Sequence, residues 1–302
     1  MTPKTIAILG FGEAGTAIGR GLVEDCGWLD EGRGLLVIDI ALGEGAPGQA
    51  MRRRAEALGI EIHAGYGSHL AAADLVICVV TGDQSLNAAT SAAAWLGPEA
   101  IFLDFNSITR AMAEADEKAF ATSGASYVDV AVMGSFYRYG HRAPLLLAGE
   151  KAGKVSQYLG SLGFDIEVLG PVAGTASAVK ILRSILMKGL EALGVEFMVA
   201  ARQQGLLEEA LACTGDVDKS GFRAFLETLT TTHLVHAKRR HEEIELVNQM
   251  LRDSGIEPLM SLATERSHFR TLASGATRPG GPVPGLDEAL QILTNEVVKP
   301  SR

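Results

Sequence analysis

In the first half of the chain, short apolar runs alternate with stretches in which apolar residues recur every three or four positions. The runs predict seven strands, near residues 5–10, 35–40, 60–64, 75–81, 100–105, 126–133 and 144–148. The periodic stretches predict helices near 14–25, 47–58, 84–95, 109–123 and 151–161. Strands that alternate with helices are typical of a doubly wound, mostly parallel sheet with helices on both faces.

The pattern becomes purely helical after about residue 170. The first helix of this part, predicted over 174–204, would be about 45 Å long, enough to connect two domains. Further helices are predicted near 219–229, 232–253, 257–274 and 286–298. The pattern therefore predicts an α/β domain over 1–170 and an all-helical domain over 171–302.

A glycine-rich segment joins the first strand to the first helix. Gly10, Gly12 and Gly15 occur in the order Gly-x-Gly-x-x-Gly, with Phe11, Glu13 and Ala14 between them. In this context the glycines permit a tight turn, a close approach of the backbone to a pyrophosphate, and packing of helix on strand. The segment 10–15 thus predicts a Rossmann domain that binds a dinucleotide, although a plain glycine turn is the alternative.

The residue that ends the second strand bears on the choice of cofactor. Asp39 follows Gly15 by 24 positions, where a carboxylate would accept hydrogen bonds from the adenosine ribose and repel a 2′-phosphate. This favours NAD, but Arg52, Arg53 and Arg54 on the next helix leave NADP open. For these arginines a solvated helix face is the favoured interpretation.

Polar residues also follow the fourth and fifth strands. Ligands of open α/β sheets bind beyond the carboxyl ends of the strands, so Thr81, Asn106 and Ser107 are candidates to contact the nicotinamide half or the substrate. Each is equally compatible with a turn or a helix cap.

Lys180 is the candidate catalytic residue. It shares one stripe of a largely apolar helix with Ser184, Met187 and Glu191. Partial desolvation of a lysine favours its neutral form, which can accept an alcohol proton during hydride transfer. A lysine that extends its ammonium group to solvent from a core helix is the alternative.

A basic loop lies between the sixth and seventh strands. Arg138, His141 and Arg142 fall within five residues of an acidic protein. Because guanidinium groups match carboxylate and phosphate geometry, the loop predicts a small anionic substrate, with a solvated loop as the alternative.

Composition narrows the function classes. The chain of 302 residues has a formal net charge of −9, which argues against nucleic acid as a partner. We expect no membrane span, because the most apolar helical stretch carries several charges. Three widely spaced cysteines show no metal-ligand spacing and no disulfide framework, which favours a cytoplasmic location.

The glycine segment, the Asp129 segment and the Lys180 segment, in this order, resemble the β-hydroxyacid dehydrogenase and 6-phosphogluconate dehydrogenase superfamily. The run from Lys238 resembles the subgroup with a phosphogluconate dehydrogenase C-terminal-like domain. The resemblance implies oxidation of hydroxy acids with NAD or NADP, a general acid/base role for Lys180, and dimers or higher homo-oligomers through the long helix.

The chain departs from the family pattern in its substrate half. Met133 stands where the family loop has a serine, followed by Gly134 and Ser135, and Ser184 stands where it has an asparagine. Lys238 aligns with a family lysine near the nicotinamide. These departures argue against a simple 3-hydroxyisobutyrate-type substrate, and the basic loop is the predicted replacement anion site.

The sequence thus predicts an NAD(P)-dependent dehydrogenase or reductase that interconverts a small anionic hydroxy acid and its aldehyde or ketone. An imine reductase-like enzyme is the first alternative, although that group generally lacks a lysine at position 180. A catalytically silent dinucleotide-binding protein is the second.

Overall fold

Runs of buried aliphatic residues form the strands of one sheet in the computed structural model, which describes residues 3–298. The eight strands are β1 Thr5–Leu9, β2 Gly34–Ile38, β3 Glu61–His63, β4 Leu75–Cys78, β5 Ile101–Asp104, β6 Ser126–Val132, β7 Leu145–Ala148 and β8 Ile166–Gly170. Their order is β3-β2-β1-β4-β5-β6-β7-β8, and every neighbouring pair is parallel except β6 with β7. The predicted doubly wound, mostly parallel sheet is confirmed.

One strand has no counterpart in the prediction. β8 lies at the edge of the sheet, and its residues are exposed or half-buried. Its sequence Ile-Glu-Val-Leu-Gly therefore lacks the continuous apolar run that marks the central strands.

Helices cover both faces of the sheet. In this part of the chain they are α1 Glu13–Arg20, α2 Ala46–Ala57, α3 Ser85–Ala93, α4 Arg110–Lys118, α5 Phe136–Tyr139 and α6 Ala152–Ser161. Ile6 and Ile8 of β1 pack in one core with α1, whereas Ala7 and Leu9 pack in the other with α3. This alternation follows from the two-residue period of a strand.

The rest of the chain is helical, with α7 Thr175–Gln203, α8 Leu207–Ala212, α9 Gly215–Ser220, α10 Phe222–Asp253, α11 Met260–Ser274 and α12 Leu286–Ile292. The chain divides into two compact units, Met1–Ile185 and Leu186–Arg302, and the division falls within α7. In the described residues 3–298, no helix is long and apolar enough to cross a membrane.

The predicted break near residue 231 is wrong, because α10 runs through a cluster of threonines without interruption. The hydroxyl of Thr230 donates to the carbonyl of Leu226 at 2.9 Å, and that of Thr232 donates to the carbonyl of Thr228 at 2.7 Å. Bonding back to the preceding turn satisfies each hydroxyl within the helix, so the threonines do not end it.

A carboxylate on α7 stabilises the start of α11. Glu196 accepts hydrogen bonds from the backbone N–H groups of Leu259, Met260 and Ser261 at 2.8–2.9 Å. These groups have no partner within the helix, and a negative charge also complements the helix dipole. Although burial acts to raise the pKa of Glu196, these hydrogen bonds outweigh it and lower the pKa.

We predict that Glu196→Ala lowers the free energy of unfolding by about 1–2 kcal/mol, the usual effect of losing a helix cap. Urea denaturation of both proteins measures the change. The matched control is Glu191→Ala, an exposed carboxylate on the same helix, which should differ from wild type by less than about 0.5 kcal/mol. Equal losses in both variants would show that the three hydrogen bonds do not stabilise α11.

Candidate cofactor and catalytic site

The glycine segment after β1 is packed tightly except at its centre. Gly10 has a φ of +91°, and a Cβ there would lie 2.7 Å from the carbonyl oxygen of Val79. A Cβ on Gly15 would lie 2.0 Å from the carbonyl oxygen of Gly10. A Cβ on Gly12 would meet nothing within 4 Å, so the loop leaves open space at the position where a pyrophosphate approaches in a dinucleotide site.

A cleft of about 440 Å³ lies at the carboxyl ends of β1, β2 and β4. Its walls include Gly12, Glu13, Ala14, Asp39, Tyr66 and Thr81. The volume falls within the range of small-molecule and cofactor sites. Six of the cofactor-contact residues predicted from sequence, among them Gly10, therefore line one cleft.

Asp39 holds the backbone of the glycine loop and of the turn after β2. One carboxylate oxygen accepts from the N–H of Phe11 at 2.7 Å, and the other accepts from the N–H of Ala41 at 2.8 Å. The Phe11 side chain itself is fully buried in the core, so only its backbone belongs to the glycine loop.

One member of the arginine run also contacts the glycine loop. Arg52, Arg53 and Arg54 are all exposed, as the expected solvated helix face implies. The guanidinium of Arg54 nevertheless also donates to the carbonyl of Phe11 at 3.1 Å. Its positive charge lies beside the loop.

The polar residues after β4 and β5 divide into two groups. Thr81 and Ser107 are exposed, and Thr81 lines the cleft. Asn106 is buried, and its amide nitrogen donates to the sulfur of Cys78 at 3.4 Å. The side chain of Asn106 thus faces the core and is not among the residues that line the cleft, against the prediction from sequence.

A buried carboxylate fixes the start of α7, the helix that carries Lys180. Both oxygens of Asp129 on β6 accept from Ser177, one from its N–H at 2.9 Å and one from its hydroxyl at 2.5 Å. Burial raises the pKa of Asp129, while the bonds from Ser177 oppose that shift. Asp129 pairs in register with Asp104, the last residue of β5, so the first turn of α7 is anchored level with the carboxyl end of β5.

Lys180 follows Ser177 by three positions, so it lies about one helical turn further along α7, and it is half-buried. Ser184 lies four residues beyond Lys180, and its hydroxyl donates to the Lys180 carbonyl at 3.0 Å. The oxygen of that hydroxyl can still accept a hydrogen bond.

The loop after β6 presents its two arginines to solvent. Arg138 and Arg142 are exposed, and the guanidinium of Arg138 lies 5.2 Å from the ring centre of Tyr139. Gly134 and Ser135 are also exposed. Met133 is half-buried and packs on a small apolar cluster with Ala131, Ala148 and Ala176.

His141 has a different environment from the arginines beside it. Its ring is 2% exposed, with Nδ1 3.3 Å from the carboxylate of Asp25 and Nε2 3.9 Å from the sulfur of Cys26. A Cβ on Gly21 would lie 2.1 Å from Nδ1, so the ring packs directly against the turn that follows α1. Burial lowers the pKa of His141. The three residues of the predicted anion site therefore differ. Arg138 and Arg142 are exposed, whereas the buried His141 holds the loop against the turn after α1.

Lys238 lies on α10 in the second unit. It is exposed, and its ammonium is 4.0 Å from the carboxylate of Glu242 one turn further along the same helix. Its predicted contact with the cofactor remains a prediction.

Sequence reasoning did not single out three groups that hold the site together: the Arg54 guanidinium, the Ser177 hydroxyl and the Asp104 carboxylate. Arg54 belongs to the arginine run on the second helix, Ser177 lies in the helix predicted over 174–204, and Asp104 lies in the strand predicted near 100–105. Their partners, however, lie 19 to 48 residues away along the chain, so no local spacing marks them.

The second unit matches the domain of unknown function DUF1932 over residues 201–270. A conserved hypothetical protein from Sinorhizobium meliloti is 30% identical to this chain, and the two structures superpose with a TM-score of 0.60. The match includes 96% of this chain and 95% of the other. The conserved protein MTH1747, described as structurally similar to 3-hydroxyacid dehydrogenases, is 28% identical over 89% of this chain and 97% of its own, with a TM-score of 0.58.

The chain belongs to the same family as the conserved Sinorhizobium meliloti protein, and its second unit carries a DUF1932 domain. The family resemblance predicted from sequence is confirmed. An imine reductase from Myxococcus stipitatus, solved with NADP+, shares the fold of this protein with a TM-score of 0.74. The two chains are 18% identical, and the match includes 95% of this chain and 99% of the other.

We predict that Ser177→Ala lowers the free energy of unfolding of this protein by about 1–3 kcal/mol, because it leaves one oxygen of the buried Asp129 carboxylate without a donor. Ser184→Ala, on the same helix, is the matched control and should cost less than about 0.5 kcal/mol. Thermal and urea unfolding measure both. If Ser177→Ala is as stable as the control, the bond to Asp129 does not anchor α7.

Proposed function

We propose that this protein is a nicotinamide-dinucleotide-dependent oxidoreductase that interconverts a small anionic hydroxy acid and its aldehyde or ketone. The observation that carries the proposal is the cleft at the carboxyl ends of β1, β2 and β4, with open space at Gly12. The likeness to MTH1747, which is described as structurally similar to 3-hydroxyacid dehydrogenases, supports the reaction class.

The residues of the cleft fit a dinucleotide. The backbone of Gly10–Gly15 and the start of α1 would hold the pyrophosphate, since a helix N-terminus offers N–H donors and a positive dipole end. Asp39 would accept hydrogen bonds from the adenosine ribose, and its charge favours NAD. The guanidinium of Arg54 beside the loop keeps NADP open, as does the NADP+ bound by the Myxococcus stipitatus imine reductase. A bound nicotinamide dinucleotide supplies or accepts a hydride.

Lys180 would move the proton that accompanies hydride transfer. Its neutral Nζ accepts the proton of the substrate hydroxyl in oxidation, and its ammonium returns a proton to the carbonyl oxygen in reduction. The anchoring of Ser177 by Asp129 supports this role, because it fixes the helical turn before Lys180. A positioned base must stay within hydrogen-bond reach of its substrate.

We assign the anionic end of the substrate to the exposed side of the loop after β6. Arg138 and Arg142 supply positive charge, and Gly134, Ser135 and Ser107 supply exposed backbone or hydroxyl groups. The thioether of Met133 offers little hydrogen bonding where the family loop has a hydroxyl, so the substrate should differ from those of the typical family members. Ser184 would hold a substrate oxygen.

The direct test follows reduction of NAD and NADP separately with a panel of short 2- and 3-hydroxy acids. We expect Lys180→Ala to lower turnover by about 10²–10⁴-fold while leaving cofactor affinity unchanged, since only proton transfer is lost. Gly12→Val should show the reverse pattern, with cofactor binding abolished because a side chain occupies the open space. Near-wild-type turnover in Lys180→Ala would remove this residue from the mechanism.

An imine reductase-like activity is the second candidate, because imine reductases share the fold at TM-scores of up to 0.76. Reduction of a ketone with an amine present, compared with the ketone alone, separates the two activities. Acceleration by the amine would favour imine reduction. Saturable cofactor binding with no turnover of either substrate class would instead favour a silent dinucleotide-binding protein.

We also propose that the protein forms a homodimer through α7. On the part of α7 in the second unit, Leu193, Val195, Phe197 and Met198 are 40% to 60% exposed. Large apolar side chains are thus exposed on opposite sides of the helix, and a second copy of this chain is the proposed cover.

Analytical ultracentrifugation tests the dimer. We expect a dimer for wild type and a monomer for the double variant Val195→Glu, Met198→Glu, because buried unpaired carboxylates oppose association. Leu246→Glu is the control, since Leu246 is 73% exposed on α10 and should leave the dimer unchanged. A monomeric wild type would contradict the proposal.

A further inference from the structure

Two buried carboxyl groups meet at one serine beneath the loop that follows β5. Asp104 ends β5 and Asp116 lies on α4, and both side chains are fully buried. Ser85, the first residue of α3, lies between them. Its hydroxyl oxygen is 3.0 Å from one oxygen of Asp104 and also within hydrogen-bond distance of one oxygen of Asp116.

The contacts of Ser85 determine how many protons the two carboxyl groups carry. The hydroxyl of Ser85 has a single proton, so it donates to one carboxyl only. Its contact with the other carboxyl then requires a proton on that carboxyl. With no proton on the pair, two oxygens would face each other without hydrogen, so the geometry requires at least one.

The partners of Ser85 and Asp104 limit the count to one. The hydroxyl of Tyr127 donates to Asp104 at 2.9 Å, and the N–H of Asn106 donates to its other oxygen at 2.9 Å. If both carboxyls were protonated and donated to Ser85, the hydroxyl proton of Ser85 would have no carboxyl oxygen left to accept it. The second oxygen of Asp116 has no hydrogen-bond partner among the described residues, as suits the carbonyl of a neutral acid.

The surroundings resist further negative charge. The ionisable groups that face the pair are Cys78 on β4 and Tyr127 and Asp129 on β6, all of them acids, and burial raises the pKa of each. Burial likewise raises the pKa of Asp104 to about 7, and the neighbouring Asp116 adds to the shift.

The pair supports the loop of Asn106 and Ser107, two residues that the sequence predicts to contact the nicotinamide half or the substrate. The bond from the Asn106 N–H to Asp104 fixes the backbone directly before Ser107. A Cβ on Gly82 would lie 2.7 Å from the carbonyl oxygen of Ser107, so the loop after β4 packs against the loop after β5. Ser85 follows Gly82 by three residues, and its hydroxyl therefore connects both loops to the pair.

We propose that Asp104 and Asp116 share one proton through Ser85, and that this proton positions the Asn106–Ser107 loop for the nicotinamide half of the cofactor. The shared proton stands on the geometry alone, whereas its link to the cofactor rests on the proposed function. Asp104, Asp116 and Ser85 are positioning residues. Release of the proton leaves two carboxylates on one hydroxyl, and their repulsion acts on the strand end that holds the loop.

The first test compares Asp116→Asn with wild type by urea unfolding across pH. The amide keeps a donor toward Ser85 but binds no proton. Between about pH 5 and about pH 7 the native pair holds one more proton than the same groups in the unfolded chain, whose pKa is about 3.9. Wild-type stability therefore falls relative to the variant as pH rises, with the ratio of the two unfolding constants changing about tenfold per pH unit and levelling off above about pH 7.

Glu114→Gln is the matched control, because it makes the same change at a largely exposed position of α4. Its unfolding constant should keep a nearly constant ratio to wild type over this range. A constant ratio for Asp116→Asn as well would overturn the sharing, because the proton would then be held by Asp104 alone or by neither residue.

A measurement on wild type alone decides the matter if Asp116→Asn does not fold. With ¹³C-labelled aspartate, infrared difference spectra should show the carbonyl stretch of a protonated carboxyl that disappears as the pH is raised through about 7. Absence of a band with this titration would overturn the proposal.

The link to the cofactor is tested by titrating NADH and NADPH at each pH. If the cofactor binds only the protonated pair, its Kd rises about tenfold per pH unit above the native pKa in wild type and stays level in Asp116→Asn. Equal pH dependence in both proteins would overturn the link. If neither cofactor binds at any pH, the proposed function and the link both fail, and the unfolding data still decide whether the proton is shared.

Discussion

A carboxyl group buried in a protein interior must find donors or keep its proton, and this requirement organises the site. The register of β5 with β6 places Asp104 beside Asp129. Asp129 takes both of its hydrogen bonds from Ser177, and Asp104 takes its own from Tyr127, Asn106 and Ser85. The need of these two carboxyl groups for hydrogen-bond donors therefore fixes both the start of α7 and the loop after β5. Breaking either set of hydrogen bonds would leave a buried carboxylate unsatisfied, which is energetically costly.

The cofactor cleft follows from packing at its other end. Gly10 lies against the strand end at Val79, and Gly15 lies against Gly10, so neither position has room for a side chain. Only Gly12 has open space around it. Asp39 and Arg54 then fix the intervening backbone through the N–H and the carbonyl of Phe11. The shape of the cleft is thus set by backbone contacts that hold without a ligand.

The sequence was informative wherever a local period or motif reports directly on burial. The central strands were predicted because both of their faces are covered, and the glycine segment because its spacing is local. β8 was missed because its edge position leaves polar and apolar residues mixed. The continuity of α10 was missed because threonine usually disfavours helices, and only the structure shows that its hydroxyls bond within the helix. Contacts such as Ser85 with Asp116, 31 residues apart, depend on the tertiary fold and leave no local pattern.

The burial of His141 limits how the substrate half can recognise an anion. A ring packed against Gly21, with Asp25 and Cys26 at its nitrogens, is committed to holding the loop. Under the proposed function, recognition would then fall to Arg138 and Arg142, whose long exposed side chains must be ordered by whatever they bind. Exposed guanidinium groups attract carboxylates and phosphates alike. Under the same proposal, selectivity for one carbon skeleton would come from the half-buried positions around Met133 and Ser184, where this chain differs most from the family pattern.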